Sequence, residues 1–134
     1  MHDNLAVTRE VFARFGAHDI PGILRHLSDD IVIEFYGPAT IPYAGRYRGQ
    51  AEARGFFTTV LSSVAINRFE PEEMLAVGDK VFVTGHLNLS PLATTGTIDS
   101  DFVHVITLRD GKWARFRDFM DTAVAVEAFR APPR

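Results

Sequence analysis

Two runs near the end of the chain constrain its fold most. They are Asp101-Phe-Val-His104-Val-Ile-Thr-Leu108 and Lys112-Trp-Ala-Arg-Phe-Arg-Asp118-Phe-Met-Asp121, separated only by Arg109-Asp110-Gly111. Both are rich in β-branched and aromatic residues, so they read as paired strands, about 99 to 108 and 112 to 120. A glycine closing a three-residue loop suits a turn followed by a left-handed residue. That loop sets Leu108 opposite Lys112, Phe102 opposite Asp118 and His104 opposite Phe116. His104 and Asp118 then lie diagonally on one sheet face, within reach of a common ligand. A two-residue loop would place them on opposite faces.

The 134 residues suit one domain, 1–134, large enough to close a hydrophobic core without staples. With 46% apolar and 23% charged residues the composition is that of a globular protein, and the absence of cysteine excludes disulfides, thiolate nucleophiles and zinc-thiolate sites. No apolar run reaches the length of about 18 residues that a membrane helix needs, and the N-terminus has no signal-peptide pattern. The expectation is a cytoplasmic protein without membrane contacts. A formal net charge of −3 argues against a nucleic-acid surface. Local basic patches remain, where Arg46 and Arg48 flank Tyr47 and where Arg115 and Arg117 alternate along a strand.

Asp3 or Asn4 caps a first helix with Leu5, Val11, Phe12 and Phe15 on one face, ending near Gly16. Asp19 caps a shorter helix with Pro21 in its first turn. A strand over Ile31 to Phe35 precedes a loop dense in breakers, Gly37 to Gly45, of the kind that borders sites. A third helix runs from about Gln50 to Ser62, and strands follow at about 64 to 77, 80 to 89, 99 to 108 and 112 to 120. Asp121-Thr122 starts a closing helix. The order ααβαββββα predicts an α+β domain with helices packed on one face of a curved antiparallel sheet. Incomplete coverage of that sheet leaves an apolar cavity with few polar groups.

Six segments in this order carry a family resemblance. They are Ala17-His18-Asp19-Ile-Pro-Gly22-Ile-Leu, Leu27-Ser-Asp-Asp30, Tyr43-Ala-Gly45-Arg-Tyr-Arg-Gly49, Phe56-Phe57, Phe102-Val-His104-Val and Phe116-Arg-Asp118-Phe-Met-Asp121. On them the chain resembles the nuclear-transport-factor-2-like superfamily, in its SnoaL-like and ketosteroid-isomerase-like branch. The resemblance implies a cone-shaped α+β barrel enclosing one pocket. It also implies roles by position. The ketosteroid-isomerase oxyanion tyrosine falls on Val11, its proton-shuttling aspartate on Phe35 and its protonated aspartate near His104, so that steroid mechanism does not run here in its usual form. The Arg-x-Asp motif and later aspartate of limonene-type epoxide hydrolases fall on Phe102, His104 and Asp118. The acid/base aspartate of SnoaL-like polyketide cyclases falls on Asp118.

The candidate catalytic residues are therefore Asp118 to move a proton, His104 to relay or polarise, and Tyr43 or Tyr36 to donate to a developing oxyanion. Candidate ligand-binding residues are Tyr36, Phe12, Phe15, Phe57, Phe102, Phe116 and Ala114, the last being on the same predicted face as Asp118. Plain core packing is the competing reading for the phenylalanines, Phe35, Phe56, Phe69 and Phe82 included. His86 reads as an outward histidine on a polar face with Thr84 and Asn88. Asp121 reads as a helix cap. His2, His18 and His26 have no carboxylate at metal-ligand spacing, and Gly45 to Gly49 lacks a phosphate-loop pattern, so neither a metal nor another cofactor is expected. The reading that follows is a cofactor-independent isomerase or cyclase acting on a small apolar carbonyl or polyketide-like molecule. The alternatives are a non-catalytic binding protein with the same pocket and a dimeric interaction module. A homodimer across exposed sheet is expected, through Val103, Val105, Trp113 and Phe119 with Arg115 and Arg117 among them.

Overall fold

In the computed structural model, which describes residues 2–134, ten elements follow one another. They are α1 (Asn4–Gly16), α2 (Ile20–Leu24), β1 (Leu27–Phe35), β2 (Gly45–Arg48), α3 (Gly49–Ser63), β3 (Val64–Val77), β4 (Lys80–Pro91), β5 (Ile98–Arg109), β6 (Lys112–Met120) and α4 (Thr122–Phe129). The caps are those read from the sequence. Asp3 accepts from the Ala6 amide at 3.0 Å, Asp19 from the Gly22 amide at 2.9 Å and Asp121 from the Val124 amide at 3.3 Å. Gly22 is required where it stands, because a Cβ would lie 2.2 Å from the Asp19 carboxylate that caps its own helix.

The α+β architecture is the expected one, with helices packed on a curved sheet. The sheet is open and six-stranded, ordered β2-β1-β6-β5-β4-β3. Two features depart from the reading above. The end of the breaker-rich loop forms β2, an additional strand paired antiparallel to β1, and β1 runs parallel to β6, which makes the sheet mixed. The parallel pairing sets Phe35 beside Asp118. Gln50 fastens α3 to the α2–β1 junction, its side-chain amide donating to the carbonyls of Leu24, Leu27 and Ser28 at 3.2, 2.9 and 3.3 Å.

The β5–β6 hairpin corrects the expected register. Its loop has two residues, since Arg109 pairs with Lys112, and Asp110 and Gly111 take φ of 52° and 75°. Both values are left-handed, as a tight turn matched to strand twist requires. The ladder then slips: Leu108 pairs with Trp113 but Thr107 with Arg115, leaving Ala114 as a bulge. Beyond it His104 stands directly opposite Asp118, and Ile106, not His104, faces Phe116. The bulge reverses the phase that a two-residue loop alone would impose, so the two side chains share one face after all.

The same slip moves Trp113. Expected on the outward face, it is instead 1% exposed, its indole N–H donating to the Thr8 hydroxyl at 3.3 Å across the core. Val103, Val105 and Phe119 do lie on the outer face, with Phe82. No helix among the described residues is long and apolar enough to cross a membrane.

The outer face also carries the polar row expected around His86. Its Nδ1 lies 2.9 Å from Asp101 and its Nε2 2.8 Å from Asp99, with Glu70 opposite on β3 and Arg68 paired to Glu70. The hydrogen bond to Asp101, and then that to Asp99, raises the imidazole above its ordinary 6.5. A histidine raised on folding stabilises fully below its unfolded value and loses that contribution as pH climbs through the folded one. Stability to denaturant is therefore expected to fall across the pH range just above 6.5, and His86→Gln is expected to flatten that fall. A His86→Gln protein with the wild-type pH slope would contradict this.

Candidate functional site

The cavity between the helices and the concave face of the sheet is lined almost wholly by apolar side chains. Of the residues that enclose it, only Tyr43, His104 and Asp118 carry ionisable groups. These are the three candidate catalytic residues, brought together from the loop before β2 and from the facing strands β5 and β6. Phe12 and Phe15 of α1, Phe57 of α3 and Phe116 of β6 line the same space, as expected.

Three candidates fall elsewhere. Tyr36 is 40% exposed on the outer side, stacked on Phe119 at 4.9 Å and donating to Glu34 at 3.0 Å. Ala114 is the bulge residue and does not reach the cavity, because the slip that turns Trp113 inward takes its place on the inner face. Phe102 is buried but stands behind the wall, packed on the His104 ring at 4.5 Å and stacked on Phe69 at 4.7 Å. Conversely, Leu87 and Leu89 line the cavity without having been singled out, and Trp113 lines it although expected on the outward face. For the leucines the signal was in the sequence: β4 alternates Val81, Val83, Leu87 and Leu89 inward against Phe82, Thr84, His86 and Asn88 outward.

His104 is 3% exposed and held on all sides by aromatic rings. Phe12 stacks on it at 5.7 Å, and Phe116 meets it edge-on at 4.8 Å. Its Nε2 lies 3.2 Å from Asp118 Oδ1, and its Nδ1 is buried with no hydrogen-bond partner. A carboxylate offers only lone pairs, so in the neutral ring the proton belongs on Nε2, facing Asp118, and the lone pair on Nδ1. The carboxylate thus sets the tautomer and leaves the second nitrogen free to take a proton.

Tyr43 is 3% exposed, and its hydroxyl is also buried without a partner. Phe35 meets its ring edge-on at 5.0 Å and Phe129 of α4 at 6.0 Å, fixing the phenol in place. Burial, with the charge of Asp118 adding to it, pushes the phenol well above its ordinary value. Tyr43 therefore stays protonated, with a donor hydrogen that nothing in the fold accepts. Buried polar atoms in native proteins are nearly always paired, so two orphans on residues of one cavity call for an explanation.

The open volume is about 60 Å³. That suits only a few waters, at roughly 10–15 Å³ each on the same measure. A larger ligand must displace side chains of the wall. No cluster of three or more histidine, aspartate or glutamate side chains is placed to hold a metal ion among the described residues.

Comparison with known proteins bears on the fold and the family. Residues 8–116 match the SnoaL-like domain family. An NTF2-like protein from Burkholderia xenovorans LB400 is 30% identical over 95% of each chain, with a TM-score of 0.87. An NTF2-like protein of unknown function from Burkholderia pseudomallei K96243 is 26% identical, covering 98% of this chain and 100% of its own, with a TM-score of 0.88. TerC, crystallised with polyporic acid, is 27% identical over 96% of this chain and 98% of its own, with a TM-score of 0.81. No curated protein matches the chain. With a family match over most of its length and a 30% identical NTF2-like relative sharing its fold, the chain belongs to the SnoaL-like family of the nuclear-transport-factor-2-like superfamily.

Proposed function

We propose that the protein is a cofactor-independent isomerase or cyclase that moves a proton on a neutral, largely apolar carbonyl compound. The observation that carries this reading is the pairing of two orphaned polar atoms, Tyr43 Oη and His104 Nδ1, with an aspartate 3.2 Å from the far side of the same imidazole. Tyr43 donates to the carbonyl oxygen and stabilises the charge that develops when a neighbouring carbon loses its proton. The His104–Asp118 pair takes that proton and returns it at another position. The apolar walls favour a substrate without fixed charge, since no lysine or arginine lines the cavity to pair with one. Family membership and the relative crystallised with polyporic acid support a small organic substrate.

In this scheme Asp118→Asn keeps the shape of the side chain but removes its charge and its proton exchange. The expected result is a folded protein with turnover reduced by about 10² to 10⁴. Because the two groups act as a unit, His104→Gln is expected to lose a comparable factor and the double variant little more. Near wild-type turnover in folded Asp118→Asn would refute the mechanism. Ligand binding without turnover in the parent protein would favour the binding-protein alternative.

Tyr43→Phe separates function from stability. Its hydroxyl makes no bond in the fold, so removing it relieves a buried, unpaired group that costs on the order of 1–3 kcal/mol. The variant is expected to be as stable as the parent or more so by denaturant titration, while turnover falls. Destabilisation by Tyr43→Phe would show that the hydroxyl serves the fold.

A further inference from the structure

We propose that the ligand enters between the C-terminal end of α1 and β3, and that a second pocket outside this wall holds the part of it that the cavity itself has no room for. The proposal rests on the cavity being a ligand site. The outer pocket, about 170 Å³, is lined by Phe12, Phe15, Ile66 and Phe69 together with Gly16, His18 and Pro71. The first four also line the inner cavity, so these side chains are a wall with open space on both sides. A wider groove runs beside α4, past Pro38, Thr122, Val126 and Arg130, but it shares no lining residue with the cavity.

The wall is built to move. Phe69 packs on Phe12 at 5.8 Å and on Phe15 at 5.4 Å, and all three are only partly buried, whereas Phe56, Phe57 and Phe116 deeper in are no more than 4% exposed. β3 is an edge strand, and its pairing with β4 slips on both sides of Phe69, between Ile66 and Arg68 and between Pro71 and Glu73. A segment bounded by two bulges in an edge strand shifts with few ladder bonds to break. Moving the Phe69 ring joins the inner and outer spaces. The side chains of the outer pocket are apolar except for His18, but polar atoms make up much of its exposed lining, so it suits a ring that carries polar groups, with the carbonyl end inside at Tyr43.

Two features of the chain make the route measurable without knowing the ligand: Trp113, its single tryptophan, lines the cavity, and it has no cysteine. Acrylamide quenching of Trp113 fluorescence reports access. Gly16→Cys places a thiol in the outer pocket where a side chain meets nothing within 4 Å, and Glu127→Cys places one in the α4 groove. Capping Gly16→Cys with a polyethylene-glycol maleimide is expected to slow quenching severalfold, and capping Glu127→Cys to leave it unchanged. Phe69→Ala is expected to raise quenching severalfold. Unchanged quenching in capped Gly16→Cys, or slowing only in capped Glu127→Cys, overturns the portal even if Phe69→Ala fails to fold. Either outcome leaves the acid/base reading intact, since that stands or falls with Asp118→Asn.

Discussion

The close approach of His104 and Asp118 is the contact on which the site depends. It is a cross-strand pair, so its existence is decided by register, and register is decided by the two-residue turn and the bulge at Ala114 acting together. The turn alone would send one of the two side chains to the outer face. The slip at Ala114 restores the phase, turns Trp113 inward and brings the carboxylate against the imidazole. β1 then completes the arrangement by running parallel to β6, so that Phe35 flanks Asp118 and bears on the Tyr43 ring.

The aromatic rings that hold the site still also shield it from bulk solvent. Four phenylalanines surround His104, at centroid distances from 4.5 to 6.1 Å, and leave the imidazole little freedom to rotate. In such surroundings an unpaired hydroxyl and an unpaired ring nitrogen oppose folding, and both persist here. Under the proposed acid/base reading, stability is given up at the positions where the reaction would use free donors and acceptors. The small open volume follows from the same packing, and it makes motion of the wall a condition of binding any ligand larger than a few atoms.

Much of the fold was legible because it is local. Asp3, Asp19 and Asp121 sit at the starts of helices where their side chains meet free amides, and the strand limits after residue 64 follow from turns at Gly78 and Gly111. The inward placement of Phe116 and Asp118 was also legible, although through a register in which an overlong loop did the work of the bulge. Ala114 and Trp113 were exchanged for the same reason: strict alternation cannot see an extra residue in a strand. Tyr43 was favoured over Tyr36 for the pocket, but both flank one loop, and it is the fold of that loop over the β1 end that sends Tyr43 inward and leaves Tyr36 outside. The parallel β1–β6 pairing and the short β2 were out of reach because they join segments far apart in the chain.

The central claim is that Asp118 holds the proton on His104 Nε2 and leaves the buried Nδ1 as a free acceptor. Long-range ¹H–¹⁵N spectra of the histidine rings test it most directly. The expected result, for the neutral ring of His104, is a protonated Nε2 and a lone-pair Nδ1, with the Nε2 signal displaced in Asp118→Asn. A proton on Nδ1 and the lone pair on Nε2, unchanged by Asp118→Asn, would contradict the account.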